Sequence, residues 1–146
     1  MLKNINGESK VKVAIINVRI IDTKNNIDEV GGILINEKGL VEACGSKVTK
    51  GNVGDTKIYD CKNKLAIPGI VDGRVFAGEP GFEYKENYRT LSQAAISGGV
   101  TSVVTMPNTN PIIDNVSTFD FIQRRARDKS LIKIHSLASL TKNVEG

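Results

Sequence analysis

The chain has 146 residues, of which 40% are hydrophobic and 25% charged, as in an ordinary soluble globular protein. Its net charge is +4, but the basic residues are dispersed, only 5% of residues are aromatic and Trp is absent, which argues against nucleic acid as a partner. No apolar run approaches the roughly 18 residues that span a bilayer. The polar N-terminus also lacks the apolar core of a signal peptide, so no membrane association is expected.

The cysteines and the single histidine further limit the classes of protein that fit this sequence. Cys44 and Cys61 are far apart in the sequence, and without a secretion signal they indicate free thiols in a reducing cytoplasm. His135 is the single histidine, which argues against a structural zinc site. It lies at the end of a predicted strand, where a lone histidine is more often structural than catalytic.

Residues 1–65 are predicted to form a β-rich domain. β-branched residues and turn signals place the strands at residues 11–21, 31–35, 40–43 and 57–61. The second and third of these are expected to form a hairpin whose turn ends at Gly39. No cluster of catalytic residue types occurs in this part of the chain.

Residues 66–146 alternate between strand and helix patterns, which predicts a parallel α/β arrangement. Strands are expected at residues 65–71, 100–106 and 131–135, and helices at residues 85–97 and from Asp114 or Asn115 to about 128. The first helix is expected to end at Gly98-Gly99. The first strand should lead into a polar tip, Asp72-Gly73-Arg74, followed by a turn at residues 79–81. Functional residues are expected at the carboxyl ends of these strands.

Two segments at those strand ends are distinctive enough to indicate a protein family. PGIVDGRVFAGEPG (68–81) and GGVTSVVTMPNTNPIID (98–114) resemble the dihydroorotase branch of the amidohydrolase superfamily. The resemblance covers most of the chain and is densest from residue 68 to residue 114. It implies a small N-terminal β-sandwich layer followed by the first units of a TIM-type (β/α)₈ barrel, with the domains at 1–65 and 66–146.

The resemblance also implies which residues should carry the chemistry. The family pattern at the first barrel strand is PG-x-x-D-x-H-x-H-x-R-x-PG, and Asp72 matches its Asp. The two histidines that bind zinc in active members fall on Arg74 and Phe76, and the arginine that grips the substrate carboxylate falls on Gly78. The MPNT element is intact, so Asn108 is the implied substrate contact.

The acidic residues near this tip offer weak alternatives as ligands of a cation. Asp72 and Glu79 could bind a hard cation, but we expect Asp72 to stabilise its loop and Glu79 to form part of a turn. Lys142 could suggest a carbamylated metal-bridging lysine. It lies in a polar tail, however, and is interpreted as a surface lysine.

Two functions from different classes follow from these residues. The first is a non-catalytic dihydroorotase-like protein without a bound metal, a partner of aspartate carbamoyltransferase in pyrimidine biosynthesis. The second is an active dihydroorotase or related cyclic amidohydrolase that uses substitute ligands and the remaining barrel. The changes at Arg74, Phe76 and Gly78 favour the first.

The number of predicted strands has a consequence for assembly. A complete (β/α)₈ barrel takes about 250 residues, and only about three of its strands are predicted here. The chain is therefore expected to be the front of a longer protein. Its open sheet edges should be covered by the rest of the barrel, by a second copy or by a partner chain.

Overall fold

We describe a computed structural model of the protein, which covers residues 11–145. The chain divides into two compact units between Pro68 and Gly69. No helix within residues 11–145 is long and apolar enough to cross a bilayer.

The first unit is a four-stranded sheet with the strand order β3-β2-β1-β4. Its strands are β1 (Val13–Asp22), β2 (Ile27–Ile35), β3 (Val41–Gly45) and β4 (Lys57–Ala66). Strand β1 pairs antiparallel with β2 and parallel with β4, and β2 pairs antiparallel with β3. This sheet and the sheet of the second unit confirm the predicted fold class, which is a β-rich N-terminal layer followed by the first β/α units of a barrel.

The core of the first unit follows from the alternation along β1. Successive side chains of a strand point to opposite faces, and Ala14 and Ile16 are buried on one of them. They pack against Val48 and Val53 of the loop between β3 and β4. Between them and the second half of the strand the register shifts at Asn17, which has a φ of 54°.

Two predicted strand limits in this unit are wrong. Strand β2 begins at Ile27 rather than at residue 31, so Gly31 lies inside it, paired with Val18. Any Cβ at Gly31 would clash with the carbonyl oxygen of Gly45. Strand β4 runs on to Ala66, which pairs with Ile20. Leu65 and Ala66 therefore belong to β4 and not to the next strand. The polar residues 62–64 interrupt the apolar pattern of β4, so the sequence did not show this continuation.

The second unit is a parallel sheet with the order β5-β6-β7, as the alternating pattern predicted. Its elements are β5 (Ile70–Val75), α1 (Tyr88–Ser97), β6 (Val100–Thr105), α2 (Val116–Lys129), β7 (Lys133–Ser136) and a short 3-10 helix (Lys142–Val144). The predicted tip Asp72-Gly73-Arg74 is wrong, since these residues lie within β5. Pairing of Asp72 with Val103 and of Val75 with Thr105 keeps this polar segment in the sheet.

Capping residues set the limits of the two helices. Helix α1 starts three residues later than predicted, because the side chain of Asn87 accepts hydrogen bonds from the backbone N–H groups of Arg89 and Thr90, both 3.1 Å long. It ends at Gly98, as predicted, and Gly99 follows with a φ of 80°. Of the two predicted caps of α2, Asn115 is the one that accepts the Thr118 N–H, at 2.9 Å.

One hydrophobic core joins the helices to one face of the sheet. Its buried members come from both helices, the strands and the loops: Ala77, Tyr88, Val103, Ile113, Ile122, Ala126 and Ile134. Phe119 and Leu91 are partly buried against it. Both helices therefore pack on the sheet through these residues.

Candidate site at the carboxyl ends of the strands

The loops that follow β5, β6 and β7 meet at one end of the sheet. The backbone N–H of Met106 donates to the carbonyl of Val75, and that of Leu137 donates to the carbonyl of Thr105, both at 2.9 Å. The carboxyl ends of parallel strands are where ligands bind in α/β folds. The residues singled out from the sequence are all on these strands and loops.

Strand β5 leaves Arg74 exposed beside Val75, which packs against the core. All the residues of β5 that precede Val75 are exposed, and the register with β6 shifts between Asp72 and Val75. Asp72 is also exposed, and its Oδ1 accepts the backbone N–H of Arg74 at 3.0 Å. Asp72 therefore stabilises the local backbone, as the sequence interpretation proposed.

Phe76 begins a short aromatic cluster in the loop after β5. Its ring lies 6.0 Å from that of Phe82, which lies 6.5 Å from the ring of Tyr84. Lys85 Nζ lies 5.3 Å from the Phe82 centroid and 5.5 Å from the Tyr84 centroid, within cation–π range. An apolar ring thus occupies the position that the family pattern gives to a histidine.

Gly78 is enclosed by its own loop. It has a φ of 71°, a conformation that L side chains rarely adopt. Any Cβ at this position would clash with the carbonyl oxygen of Glu86. The loop therefore has no space for the arginine that the family pattern places at this position.

Glu79 is a buried structural carboxylate. It is only 3% exposed, accepts the backbone N–H of Tyr88 at 3.1 Å and is paired with Arg125 Nε. The bond and the charge of Glu79 raise the pKa of Arg125. Sequence analysis placed Glu79 correctly in a turn but missed its partner, because Arg125 is 46 residues away in the chain.

The MPNT loop presents Asn108 at the surface and fixes the loop through its neighbours. Thr109 is buried and its hydroxyl donates to the carbonyl of Pro111 at 2.8 Å. The backbone N–H of Asn110 donates to the carbonyl of Pro80 at 3.0 Å, which joins this loop to the one after β5. Asn108 itself is exposed.

Strand β7 contributes two polar side chains to the open face of the sheet. Ile134 is buried in the core, whereas its neighbours Lys133 and His135 are exposed. Val104 pairs with His135, and Ser102 pairs with Lys133. The sequence analysis missed Lys133, although its spacing of two from His135 in a short strand was a visible signal.

The phenol of Tyr88 is a polar group within the hydrophobic core. Tyr88 is 1% exposed, and its burial, together with the charge of Glu79, raises the pKa of the phenol. Next to it in this region, Thr105 Oγ1 donates to Ser136 Oγ at 3.1 Å. These groups lie on the core side and complete the packing under the strand ends.

The donor set does not fit a zinc ion. Zinc requires thiolate, imidazole or carboxylate ligands. The guanidinium of Arg74 has only hydrogen-bond donors, and the Phe76 ring has no atom that can bind a metal. Glu79 is already neutralised by Arg125. Within residues 11–145 no three His, Cys, Asp or Glu side chains are grouped closely enough to hold a metal. Lys142 lies in the tail, where its Nζ is 3.6 Å from Asp114 Oδ1.

Comparison with solved structures gives the class of the fold. The L-hydantoinase (dihydropyrimidinase) from Arthrobacter aurescens is similar over 88% of this chain and 28% of its own, with a TM-score of 0.77 and 21% identity. A D-hydantoinase is similar over 91% of this chain and 29% of its own, with a TM-score of 0.69 and 18% identity. The fold is thus that of the amidohydrolases, with the N-terminal β-domain and the first part of the barrel.

Sequence comparison identifies the family. The model of the dihydro-orotase-like family matches residues 63–146, and this chain belongs to that family. The dihydroorotase of Syntrophus aciditrophicus is 36% identical over 137 residues, which are 93% of this chain and 32% of the relative. That of Ehrlichia canis is 38% identical over 132 residues, 89% of this chain and 29% of the relative. The chain spans about a third of the length of these curated relatives.

Proposed function

We propose that this chain is a non-catalytic dihydroorotase-like protein that serves pyrimidine biosynthesis in the cytoplasm as a partner of aspartate carbamoyltransferase. The observation that carries the proposal is Arg74, exposed on β5, at the position of the first zinc-binding histidine of the family pattern. A guanidinium is always protonated and has no lone pair to donate to a metal.

The surroundings of Arg74 support the same conclusion. Phe76 packs against the Phe82 ring instead of presenting a ligand, and Gly78 has no space for the carboxylate-binding arginine. Loss of a residue that merely orients a metal ligand costs roughly 10–100-fold in affinity or activity. Loss of two ligands and of a substrate contact should cost more.

Asn108 is the part of the family's site that we propose is retained. Its side-chain amide can donate and accept hydrogen bonds at once, and it is exposed on a loop that Thr109 and Asn110 hold in place. A protein that binds a related ligand without hydrolysing it would keep such a contact.

The partner proposal rests on surfaces that the sheets leave open. In the described part of the second unit, β5 and β7 are the edge strands, and Ile70 and Val71 of β5 are 47% and 64% exposed. An exposed strand edge with apolar side chains favours pairing with another chain. Aspartate carbamoyltransferase is the proposed partner, and a second copy or further barrel strands would cover the same edge.

Zinc content and hydrolysis together test the proposal. The purified chain, dialysed against micromolar zinc, should hold no stoichiometric zinc and should not hydrolyse dihydroorotate above background. The double change Arg74→His and Phe76→His should not restore activity, because Gly78 still lacks the carboxylate contact. One zinc per chain together with hydrolysis by the unmodified protein would refute the proposal in favour of an active cyclic amidohydrolase. Asp72, Glu79 and His135 would then be the ligands to replace.

A further inference from the structure

The bond between Asp72 and Gly73 lies in an irregular part of β5. The pairing with β6 shifts between Asp72 and Val75, so that Gly73 and Arg74 lie opposite a single residue of β6. Such a bulge disrupts the ladder and leaves its extra residue unpaired. Strand β5 is also an edge strand in the described part of this sheet, and its residues 72–74 are all exposed. This stretch of main chain is therefore less constrained than the paired residues on either side of it.

The carboxylate of Asp72 is folded back along its own main chain. Its Oδ1 accepts the backbone N–H of Arg74, two residues further on, at 3.0 Å. Short polar side chains readily form this local bond. The ring that the bond closes contains both the Asp72 Cγ and the Gly73 nitrogen, so these two atoms are held near each other.

Gly73 leaves its own nitrogen open to attack on that carboxyl group. Glycine has no Cβ, and the space that a Cβ would occupy at Gly73 has no atom within 4 Å. Among the aspartates of the sequence, Asp72 alone is followed by a glycine. The unhindered nitrogen and the adjacent carboxyl group are therefore brought together at this one bond.

Two other aspartates have the same local geometry without the glycine. Asp22 and Asp60 each accept the backbone N–H of the residue two positions further on, at 3.0 Å and 2.9 Å. Both are on strands of the first unit. The residues that follow them, Thr23 and Cys61, carry side chains that hinder approach to their nitrogens. These sites are internal controls for the contribution of the glycine.

We propose that the Asp72–Gly73 bond of the folded chain is a modification site, which rearranges spontaneously to an isoaspartyl bond. The Gly73 nitrogen forms a bond to Cγ of the protonated Asp72 carboxyl group, and the carboxyl hydroxyl leaves with the amide hydrogen as water. Water then adds to the main-chain carbonyl carbon of Asp72 in the five-membered succinimide ring, and the original peptide C–N bond breaks.

The product has the mass of the starting chain, and the two steps consume no oxidant or cofactor. Its main chain runs through Cγ of Asp72, which adds one carbon before Gly73 and leaves a free α-carboxylate. The change falls directly beside Arg74, so it alters the course of β5 toward Val75. The inference goes beyond the proposed function and holds whether or not the chain is catalytic.

Peptide mapping of the intact chain tests the inference. The protein is incubated for several weeks at physiological temperature in neutral buffer and then digested with trypsin, which releases residues 65–74 with Asp72 as their one aspartate. The isoaspartyl form should accumulate as a second chromatographic peak of equal mass, assigned to Asp72 by electron-transfer fragmentation. A freshly prepared sample, digested in the same way, measures any rearrangement during digestion. Asn6 also precedes a glycine, but it is released in the separate peptide 4–10.

The folded chain should rearrange at a rate within about tenfold of that in a synthetic peptide of residues 65–74, because the bulge requires only local opening. A reaction confined to globally unfolded molecules would be slower by a factor of about 10³ or more. Gly73→Ala, for which the fold has space, should reduce the second peak to the level of the control peptides. These are residues 20–24 and 58–62, which contain Asp22 and Asp60.

Three outcomes would overturn the inference. The first is that the synthetic peptide rearranges while the folded chain does not, which would show that β5 protects the bond. The second is equal accumulation at Asp22 or Asp60, which would show that the glycine is not required. The third is an undiminished second peak in Gly73→Ala.

Discussion

Arg125 in α2 donates from Nε to the carboxylate of Glu79, which is buried in the loop after β5. The other carboxylate oxygen accepts the backbone N–H of Tyr88, the first residue of α1. One carboxylate therefore joins the loop, the start of one helix and the middle of the next. Anions at a helix N-terminus are also favoured by the helix dipole.

Replacing Arg125 with Met should destabilise the protein by about 1–2 kcal/mol, because it leaves the charge of Glu79 buried without a counterion. This value is lower than for a fully buried pair because the Arg125 side chain is 45% exposed and water screens it. Arg124→Met is the matched control and should change stability by no more than about 0.5 kcal/mol. Urea unfolding measures both variants. Equal midpoints for the two would show that the Glu79 contact contributes nothing.

Gly78→Ala should destabilise the protein by about 1–3 kcal/mol, because the residue has a φ of 71° and its Cβ would clash with the Glu86 carbonyl. Gly73→Ala is the control, since a Cβ there meets no atom within 4 Å. Thermal unfolding of both variants checks this expectation. If Gly78→Arg were as stable as the unmodified chain, the loop could accommodate the family's arginine and its loss would not be built into the fold.

Docking of the C-terminal tail should depend on the ionisation of Asp114. Its carboxylate accepts the backbone N–H of Asn143 at 3.1 Å and the Asn115 amide at 3.0 Å, and these bonds hold the pKa of Asp114 below its ordinary value of 3.8. A lowered folded pKa means that this stabilisation is fully present above pH 3.8 and is lost as pH falls through the lower value.

Nuclear magnetic resonance of the Asn143 amide during an acid titration measures this dependence. Its chemical shift should move with a midpoint below 3.8, and the change should vanish in Asp114→Asn. A midpoint at or above that ordinary value in the unmodified chain would contradict the proposed contact.

The chain should associate in solution, because both edges of the β5–β7 sheet are unpaired within the described residues. Ile70 and Val71 on edge strand β5 are 47% and 64% exposed, and an edge strand with exposed apolar side chains favours pairing with another chain. Light scattering at low micromolar concentration should give a mass above that of one 15.8 kDa chain. A monomer with a cooperative melt would show that the edges need no cover.

Local chemistry made much of the fold predictable. Asn115 and the Gly98-Gly99 pair limit helices because their side-chain or backbone properties act on adjacent residues. The alternation of strand and helix, with Ile122 and Ala126 on the inner face of α2, predicted the parallel unit. The segments around residues 68–81 and 98–114 were sufficient to predict the family.

The limits of β4 and β5 were not predictable in the same way, since they depend on pairing with distant strands. Lys62 and Asn63 interrupt the apolar pattern, yet β4 continues to Ala66 because it pairs with β1. Asp72 and Arg74 suggested a loop, yet hydrogen bonding to β6 keeps them in a strand. Strand pairing provides hydrogen-bond partners for the backbone of a polar segment, and this outweighs the low strand propensity of its residues.

The sequence alone determined that Arg74, Phe76 and Gly78 stand where the family pattern has zinc ligands and a substrate arginine, because residue identity at a motif needs no coordinates. Only the tertiary structure decided what surrounds them. It pairs Glu79 with Arg125 across 46 residues, closes the loop over Gly78 and pairs Val104 of β6 with His135 of β7. Such contacts depend on the packing of elements that are distant in the chain, and no local pattern specifies them.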